Sequence, residues 1–377
     1  MRSISLTSRV TQLIFTTGIL LLIHPMLAAN AMKITNINGK AWVKPMGSSK
    51  FSQAYVEQTL KYDDVLKTDP NSTVTIQCSK TIVKPVRQNA QKSVSNICPP
   101  NANDREITRL RSGGNNPQIP YIISPRYTLL LNNQPTFRWN AVEGVKSYTV
   151  TLHEVGVSED HLLWEQSVRS TAMQYPHDQQ PLKTGVDYKL VVKADNGRSS
   201  SSEEVDLSDY DSIERGVSGL QFRLIEQNLG ESVQRLAEEL AEENAQQQST
   251  DDGKLLVQAY LYAENGLFAE AIEMLETAVE TGTQAPKIYR SLGNFYAWSG
   301  LNLLAEKFYL EAIQLAESQQ DGQERALAQH HLGQMYLEVM NRGSDGISLL
   351  EQALAGYQTV ENENLATQVG SLIEKWQ

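Results

Sequence analysis

The segment YRSLGNFYAWSGLNLLAEKFYLEAI, residues 289–313, decides the fold of the C-terminal part of the chain. Two small residues, Gly293 and Ala305, and two large ones, Tyr296 and Tyr309, stand at fixed spacings on either side of a central turn. Small side chains are needed where two helices cross closely, and large ones fill the space beside such a crossing. None of these residues is an effective acid, base or nucleophile. The segment therefore predicts two packed helices and no catalytic site.

The same pattern occurs three times. Counted from Pro286, it repeats 34 residues earlier and again after the insertion SQQDGQ. This period resembles that of the tetratricopeptide repeat. The resemblance implies helix pairs at 252–285, 286–319 and 326–358 and a capping helix at 359–377. The matching positions outside the quoted segment are Leu255, Ala259, Tyr262, Gly266, Ala271, Leu275, Ala278, Leu332, Gly333, Tyr336, Gly346, Leu350 and Ala353.

The tetratricopeptide resemblance implies a peptide-binding groove lined by the first helix of each repeat. The residues at the groove positions are Tyr260, Lys287, Arg290, Asn294, His330 and Gln334. Arg290 and Asn294 resemble half of a clamp for a peptide's C-terminal carboxylate. His331 stands where an asparagine would complete the clamp, so the rest is not matched. The alternative is that Lys287 and Arg290 only balance the charge of an acidic region.

The first 31 residues are typical of a secretory leader. Arg2 and Arg9 precede an apolar run, and Ala29-Asn30-Ala31 provides small residues for cleavage. The run is shorter than the ~20 residues that a membrane-spanning helix needs, although a retained anchor is the alternative. We expect cleavage after Ala31, a periplasmic or secreted chain, and no stable membrane span.

Residues 32–98 are predicted to form a small β domain, because runs of β-branched residues are broken by turn residues. The stretch 39–78 resembles the periplasmic domain of FecR, the iron-dicitrate sensor, at the step YDDVLKT, with Asp63 where that family has glycine. The resemblance brings no catalytic residues. Cys78 and Cys98 are expected to form a disulfide in an oxidising compartment, and two unpaired thiols are the alternative. Two cysteines without a nearby histidine cannot complete a tetrahedral metal site.

Residues 121–227 alternate apolar and polar residues in several short runs, which indicates antiparallel strands with one buried face. The runs PTFRWNAVEGVKSYTVTL and YKLVVKADNG resemble fibronectin type III and related immunoglobulin-like modules, which implies a β-sandwich. Trp139 and Trp164 stand in strand phase, so we expect them in the core and not on a ligand platform.

Two connecting segments complete the chain. Residues 99–120 are rich in Pro, Gly and Asn and are predicted to be a linker. We expect its Arg105, Arg109 and Arg111 to be solvated, and contact with an acidic surface is the alternative. Residues 228–251 are predicted to be a helical connector stacked before the first repeat, with a short coiled coil as the alternative.

Charge and motifs narrow the function. The net charge is +7 over residues 32–118, -5 over 119–227 and -15 over 228–377. An export signal and a net negative charge disfavour nucleic-acid binding. No phosphate-binding loop or nucleophile elbow occurs, and adjacent helical residues such as His330 and His331 point about 100° apart, so they do not converge on one metal ion.

The sequence thus predicts a multidomain protein, β then α, with a small β domain, a β-sandwich and a tetratricopeptide solenoid. We expect an exported, non-enzymatic scaffold that needs no cofactor and binds a protein or peptide of the cell envelope. One alternative is a regulatory or sensory role in envelope signalling through the FecR-like domain. A hydrolase of envelope polymers is the other.

Overall fold

The computed structural model describes residues 32–45, 48, 50–61, 64–78, 83–86, 90–98, 110–156, 159–203, 220–246 and 251–377. An N-terminal part rich in β-strands is followed by eight helices in the described C-terminal part. The predicted leader, Arg105, Arg109 and the first two residues of the YDDVLKT step lie outside the described residues.

The first β region (residues 32–98) consists of two four-stranded antiparallel sheets, with strand orders β4-β1-β6-β7 and β3-β2-β5-β8. Both sheets contribute buried side chains to one core, among them Ile34, Val43, Leu66 and Ile76. The predicted disulfide between Cys78 and Cys98 is present, with a Cα–Cα distance of 5.3 Å. The elements are β1 (Met32–Asn38), β2 (Ala41–Lys44), β3 (Ser52–Gln53), β4 (Thr59–Leu60), β5 (Val65–Thr68), β6 (Thr73–Gln77), β7 (Val83–Val86), β8 (Gln91–Ser93) and α1 (Val94–Ile97).

The middle β region (residues 121–224) has a five-stranded sheet, β10-β16-β15-β12-β13, and a three-stranded sheet, β14-β11-β9. Alternate residues of both sheets meet in one apolar core. Trp139 and Trp164 lie in this core, at 2% and 7% exposure, as the sequence predicts. The strands are β9 (Ile122–Ser124), β10 (Thr128–Leu130), β11 (Thr136–Trp139), β12 (Tyr148–Glu154), β13 (His161–Val168), β14 (Ala172–Gln174), β15 (Asp187–Ala194) and β16 (Phe222–Leu224).

The helical region packs each helix against the next one along the chain. The helices are α2 (Gln227–Gln246), α3 (Asp251–Glu264), α4 (Phe268–Glu280), α5 (Pro286–Trp298), α6 (Asn302–Ser318), α7 (Gly322–Glu338), α8 (Gly343–Thr359) and α9 (Glu363–Trp376). Three pairs of helices follow α2. The first helix of each pair is α3, α5 or α7, and the second is α4, α6 or α8. The first helices also contact one another, α3 with α5 and α5 with α7.

Small residues allow close helix crossings within the pairs. A Cβ at Gly293 would lie 2.7 Å from the ring of Tyr309, and one at Gly333 would lie 2.9 Å from the carbonyl oxygen of Gly346. Both distances are shorter than any side chain tolerates without movement, so these positions require glycine at the present helix spacing. The pairs α5/α6 and α7/α8 therefore use the same packing device.

The insertion SQQDGQ lengthens two helices. Helix α6 continues to Ser318 and α7 already begins at Gly322, four residues before the predicted third repeat at 326. Asp321 caps α7 by accepting a hydrogen bond from the backbone N–H of Glu324 at 3.0 Å. Three of the six inserted residues, Ser318, Gly322 and Gln323, are therefore helical, and α7 gains an extra first turn.

In the described part of the predicted linker, residues 110–114 and 119–120 are buried or half-buried, whereas residues 115–118 are exposed. The Arg111 guanidinium lies 4.0 Å from the ring centre of Tyr127 and donates to the carbonyl oxygen of Trp298. The carbonyl oxygen of Gly113 accepts from the backbone N–H of Asn302 at 3.3 Å. The expectation of a solvated Arg111 was wrong because this segment satisfies backbone groups at the turn between α5 and α6.

Helix α2 joins the first β region to the helices. Its buried face, which includes Val233 and Ala237, packs with Val83 of β7 and Leu261 of α3. The backbone N–H of Val83 also donates to the side chain of Asn265 at 2.9 Å. Since α2 is covered by a sheet and by α3, the coiled-coil alternative has no support. Among the described residues, no helix is long and apolar enough to span a membrane.

Candidate functional site

The six candidate groove residues lie on three first helices that stand side by side. Tyr260 is on α3, Lys287, Arg290 and Asn294 are on α5, and His330 and Gln334 are on α7. The contacts of α5 with both α3 and α7 bring these residues onto one continuous face, which we call the first-helix face.

Asn294 is the centre of a hydrogen-bond network across this face. Its side-chain nitrogen donates to the hydroxyl of Tyr260 at 3.2 Å, and its side-chain oxygen accepts from the hydroxyl of Tyr309 at 2.8 Å. The Tyr260 hydroxyl also lies 3.1 Å from Oγ of Ser291. Asn294 is only 4% exposed. Because its amide is used inside the protein, Asn294 holds α3, α5 and α6 together and is largely closed to a ligand.

Arg290 already holds a carboxylate. Its Nε and Nη2 donate to the two carboxylate oxygens of Glu324 at 2.7 and 3.2 Å, a bidentate ion pair between α5 and α7. Both side chains are mostly buried, at 14% and 18% exposure. Such fork-like pairs are geometrically specific and stronger than neutral hydrogen bonds. Any ligand carboxylate at Arg290 would have to displace Glu324.

The two histidines of α7 are kept neutral. Burial lowers the pKa of His330 to about 4, and its Nδ1 lies 3.3 Å from the hydroxyl of Tyr357. Burial and the neighbouring Arg290 and His330 lower the pKa of His331 well below its usual value. Neutral imidazoles donate and accept hydrogen bonds at neutral pH but add no positive charge. The first-helix face therefore draws no cationic charge from these histidines.

Lys287 and Gln334 are the accessible candidates. Lys287 is half-buried in the first turn of α5, and no ion pair joins it to another described residue. Gln334 is half-buried on α7 and donates to Glu338 one turn later at 3.0 Å. These two side chains can reach a ligand without breaking a buried contact.

Sequence reasoning missed Glu324 and Tyr309 as members of this face. The 34-residue frame starts the third unit at residue 326, so it places Glu324 outside any helix. The run Asp321-Gly-Gln-Glu324 is a helix N-terminal signature and was the available signal. Tyr309 was assigned only to packing, although a buried tyrosine hydroxyl also needs a hydrogen-bond partner.

A second motif fastens the middle β region to the helices. The hydroxyl of Tyr296 donates to Glu276, whose two oxygens also accept from Arg138 of β11, the closer contact at 2.7 Å. At the next helix pair the hydroxyl of Tyr336 donates to Glu306, which also accepts from Arg342. Glu276 therefore receives its arginine, Arg138, from the middle β region, whereas Glu306 receives its arginine, Arg342, from the helical region itself.

No metal-binding cluster of three or more His, Cys, Asp or Glu residues occurs in the part of the chain that the structure describes. No family model and no curated protein match this sequence.

Several solved structures match part of the chain. A crystal structure of the MamA protein is 19% identical, covers 39% of this chain and 91% of its own, and has a TM-score of 0.26. A second MamA structure is 21% identical, covers 38% of this chain and 83% of its own, and has a TM-score of 0.26. A crystal structure of BtubC (BKLC) from P. vanneervenii is 17% identical, covers 40% of this chain and 80% of its own, and has a TM-score of 0.27. At these TM-scores the similarity establishes neither a shared fold nor a shared function.

Proposed function

We propose that this chain is an exported, non-enzymatic scaffold that binds a peptide or protein segment of the cell envelope across the first-helix face. One observation carries the proposal. Candidate groove residues of neighbouring first helices contact one another at the repeat spacing, since Asn294 and Tyr260 are 34 residues apart. A face built in this regular way offers an elongated segment equivalent positions on successive helices.

The finer folds belong to the same proposal. The close crossings at Gly293 and Gly333 and the side-by-side first helices support a solenoid of three tetratricopeptide repeats capped by α9. The shared core of the two middle sheets supports a sandwich like that of fibronectin type III modules. For the first β region, the FecR-like assignment rests on its sequence pattern alone.

The charges of the face indicate what the partner contacts. Glu324 neutralises Arg290, which leaves Lys287 as the accessible cation among the candidate groove residues, within a region of net charge -15. Acidic surroundings attract the basic parts of a partner and give a binding rate that falls with salt. We therefore expect a polar segment with basic residues and one acidic group near Lys287.

Site-specific photo-crosslinking of the full chain tests this function. A photoreactive residue at Lys287 or Gln334 probes the first-helix face in cells that export the protein. The matched controls are Lys307 and Leu310 on α6, where the Lys307 side chain is 60% exposed and Leu310 is 42% exposed. We expect a discrete protein adduct at the first pair only. Equal adducts at all four positions would contradict the proposal.

Export is part of the proposal and has its own check. Mass spectrometry of the exported protein should find Met32 at the N-terminus, since the leader motif ends at Ala31. An intact leader would restore the anchored alternative.

A further inference from the structure

In the part of the middle β region that the structure describes, the two sheets are not covered along one side. Strand β13 is the last strand of the five-stranded sheet and β14 is an end strand of the three-stranded sheet. Among the described residues neither has a neighbour on its outer edge. An end strand presents unpaired backbone N–H and C=O groups to which another strand can bind.

A cleft of about 500 Å³ lies between these two end strands. Trp164 and Tyr175 lie beneath it, with their rings 6.0 Å apart and edge to face. Both are buried, at 7% and 2% exposure, so their ring faces are not free to stack on a sugar. The lining residues are Trp164, Glu165, Gln166, Met173, Gln174, Tyr175, Pro176, His177, Asp178 and Gln179.

Strand β13 is suited to pairing over its second half. Trp164–Val168 pair in regular antiparallel register with Tyr148–Leu152, whereas the register shifts just before Trp164. Five regular residues extend over about 17 Å. Most side chains of this strand are exposed, and Leu162 is 49% exposed. A short extended segment therefore has both backbone partners and room for its side chains.

The charge of the cleft selects the segment. The described lining residues include the carboxylates of Glu165 and Asp178 and three glutamine amides, but no lysine or arginine. Neither carboxylate is in an ion pair with another described residue. We propose that an extended, lysine- or arginine-containing segment of a partner protein adds to β13 as a further antiparallel strand, with basic side chains facing Glu165 and Asp178. This surface is separate from the first-helix face.

Synthetic peptides and hydrogen exchange test the proposal on the full chain. The probe is a six-residue capped peptide that alternates Lys with Val or Thr. Its controls are the same peptide with alternate backbone nitrogens methylated and the same peptide with Glu for Lys. We expect the first peptide to slow exchange of those amides of Trp164–Val168 that face the open edge, and both controls to bind roughly tenfold more weakly or worse. Binding without protection of β13, equal binding of the methylated peptide, or no binding at millimolar concentration would overturn the proposal.

Charge-reversed variants sharpen the result. Glu165→Lys and Asp178→Lys should each weaken the lysine peptide several-fold, and together roughly tenfold or more. Glu143→Lys is the matched control, because Glu143 is an exposed carboxylate on a turn of the same region, outside the cleft lining. It should leave the affinity unchanged. An equal loss in the control variant would show attraction by net charge alone and would overturn the assignment to the cleft.

Discussion

Glu270 is a single residue whose ionisation opposes the packing around it. Its Oε1 accepts a hydrogen bond from the backbone N–H of Leu131 at 2.6 Å, where α4 meets the strand end of β10. Burial, helped by the neighbouring carboxylate of Glu273, raises the pKa of Glu270 to about 7 in spite of that hydrogen bond. At neutral pH a large fraction of the folded molecules therefore carries a proton here.

This pKa predicts how stability changes with pH. The folded pKa of about 7 lies above the ordinary value of 4.5, so the folded state binds more protons between these values. The contribution of the protonated Glu270 to the free energy of unfolding is complete below pH 4.5 and is lost as the pH rises through 7. In Glu270→Gln the free energy of unfolding should change less with pH than in the parent. At pH 8 it should exceed that of the parent by up to about 3 kcal/mol. Denaturant titrations at pH 5 and pH 8 measure this. Glu280→Gln, at an exposed position of the same helix, is the control. The same pH dependence in Glu270→Gln as in the parent would contradict the prediction.

Ala305 tests the packing of α6 at the scale of one side chain. It is fully buried in the core of the helical region. Ala305→Leu forces three extra carbons into this core and should cost about 1 to 3 kcal/mol or more. Gln314→Leu places the same side chain at an exposed position of the same helix and should cost little. Thermal melts followed by helical circular dichroism compare the two, and equal melting temperatures would mean that Ala305 is not at a close contact.

Sequence reasoning reached only part of the candidate site. It placed Lys287, Arg290 and Asn294 on the first helix of a pair because the small and large residues around them repeat. It did not find that Glu324 takes up Arg290, since that contact depends on where α7 begins. A repeat frame gives positions within one unit, whereas the extra turn of α7 comes from an inserted segment with its own cap.

Among the elements, the end of β6 and helix α1 are joined covalently. The Cys78–Cys98 bond closes a loop with a sequence separation of 20. Constraining the unfolded chain over such a loop is worth about 3 kcal/mol. Reduction should therefore speed hydrogen exchange in β1–β8 much more than in α5–α8. Cys78→Ser with Cys98→Ser should reproduce that effect without reductant. Full thiol labelling of the untreated protein at both positions would contradict the bond.

The element pattern also shows where sequence periodicity is sufficient. Alternation predicted strands such as β12 and β15, because one face of each is buried against the other sheet. Periodicity could not predict that the segment 110–120 packs against the turn between α5 and α6. That packing depends on backbone groups far apart in sequence, such as Gly113 and Asn302.

At the scale of the whole molecule, the buried guanidinium of Arg126 fastens the middle β region to the helices. The Arg126 guanidinium contacts both carboxylate oxygens of Glu203 at 2.9 Å and the carbonyl oxygens of Ser299 and Gly300 at 2.8 Å. The Arg126 and Glu203 side chains are 1% and 4% exposed. This contact leaves the two regions little freedom to move independently.

Removing this guanidinium should loosen the contact between the regions. Arg126→Met leaves Glu203 buried without its cation. This should lower the free energy of unfolding by about 3 to 5 kcal/mol. Hydrogen exchange should rise around residues 299–303 and in β9. The control is Arg223→Met, because Arg223 pairs with Asp187 of the same region at a more exposed site and its hydrogen bonds go to that carboxylate instead of to carbonyls at the α5–α6 turn. Unchanged exchange at residues 299–303 in Arg126→Met would mean that apolar packing alone holds the regions together.

The central claim is that a partner binds across the first-helix face, and a pair of charge reversals tests it most directly. Arg290→Ala and Asn294→Ala are unsuitable because both residues hold the helices together. Lys287→Glu and Lys307→Glu make the same change in charge on the first-helix face and on α6. The partner identified by crosslinking is then titrated, without crosslinks, into each variant in a calorimeter. The affinity should fall by about tenfold or more for Lys287→Glu and by less than about twofold for Lys307→Glu. Equal affinities of the two variants would contradict the account.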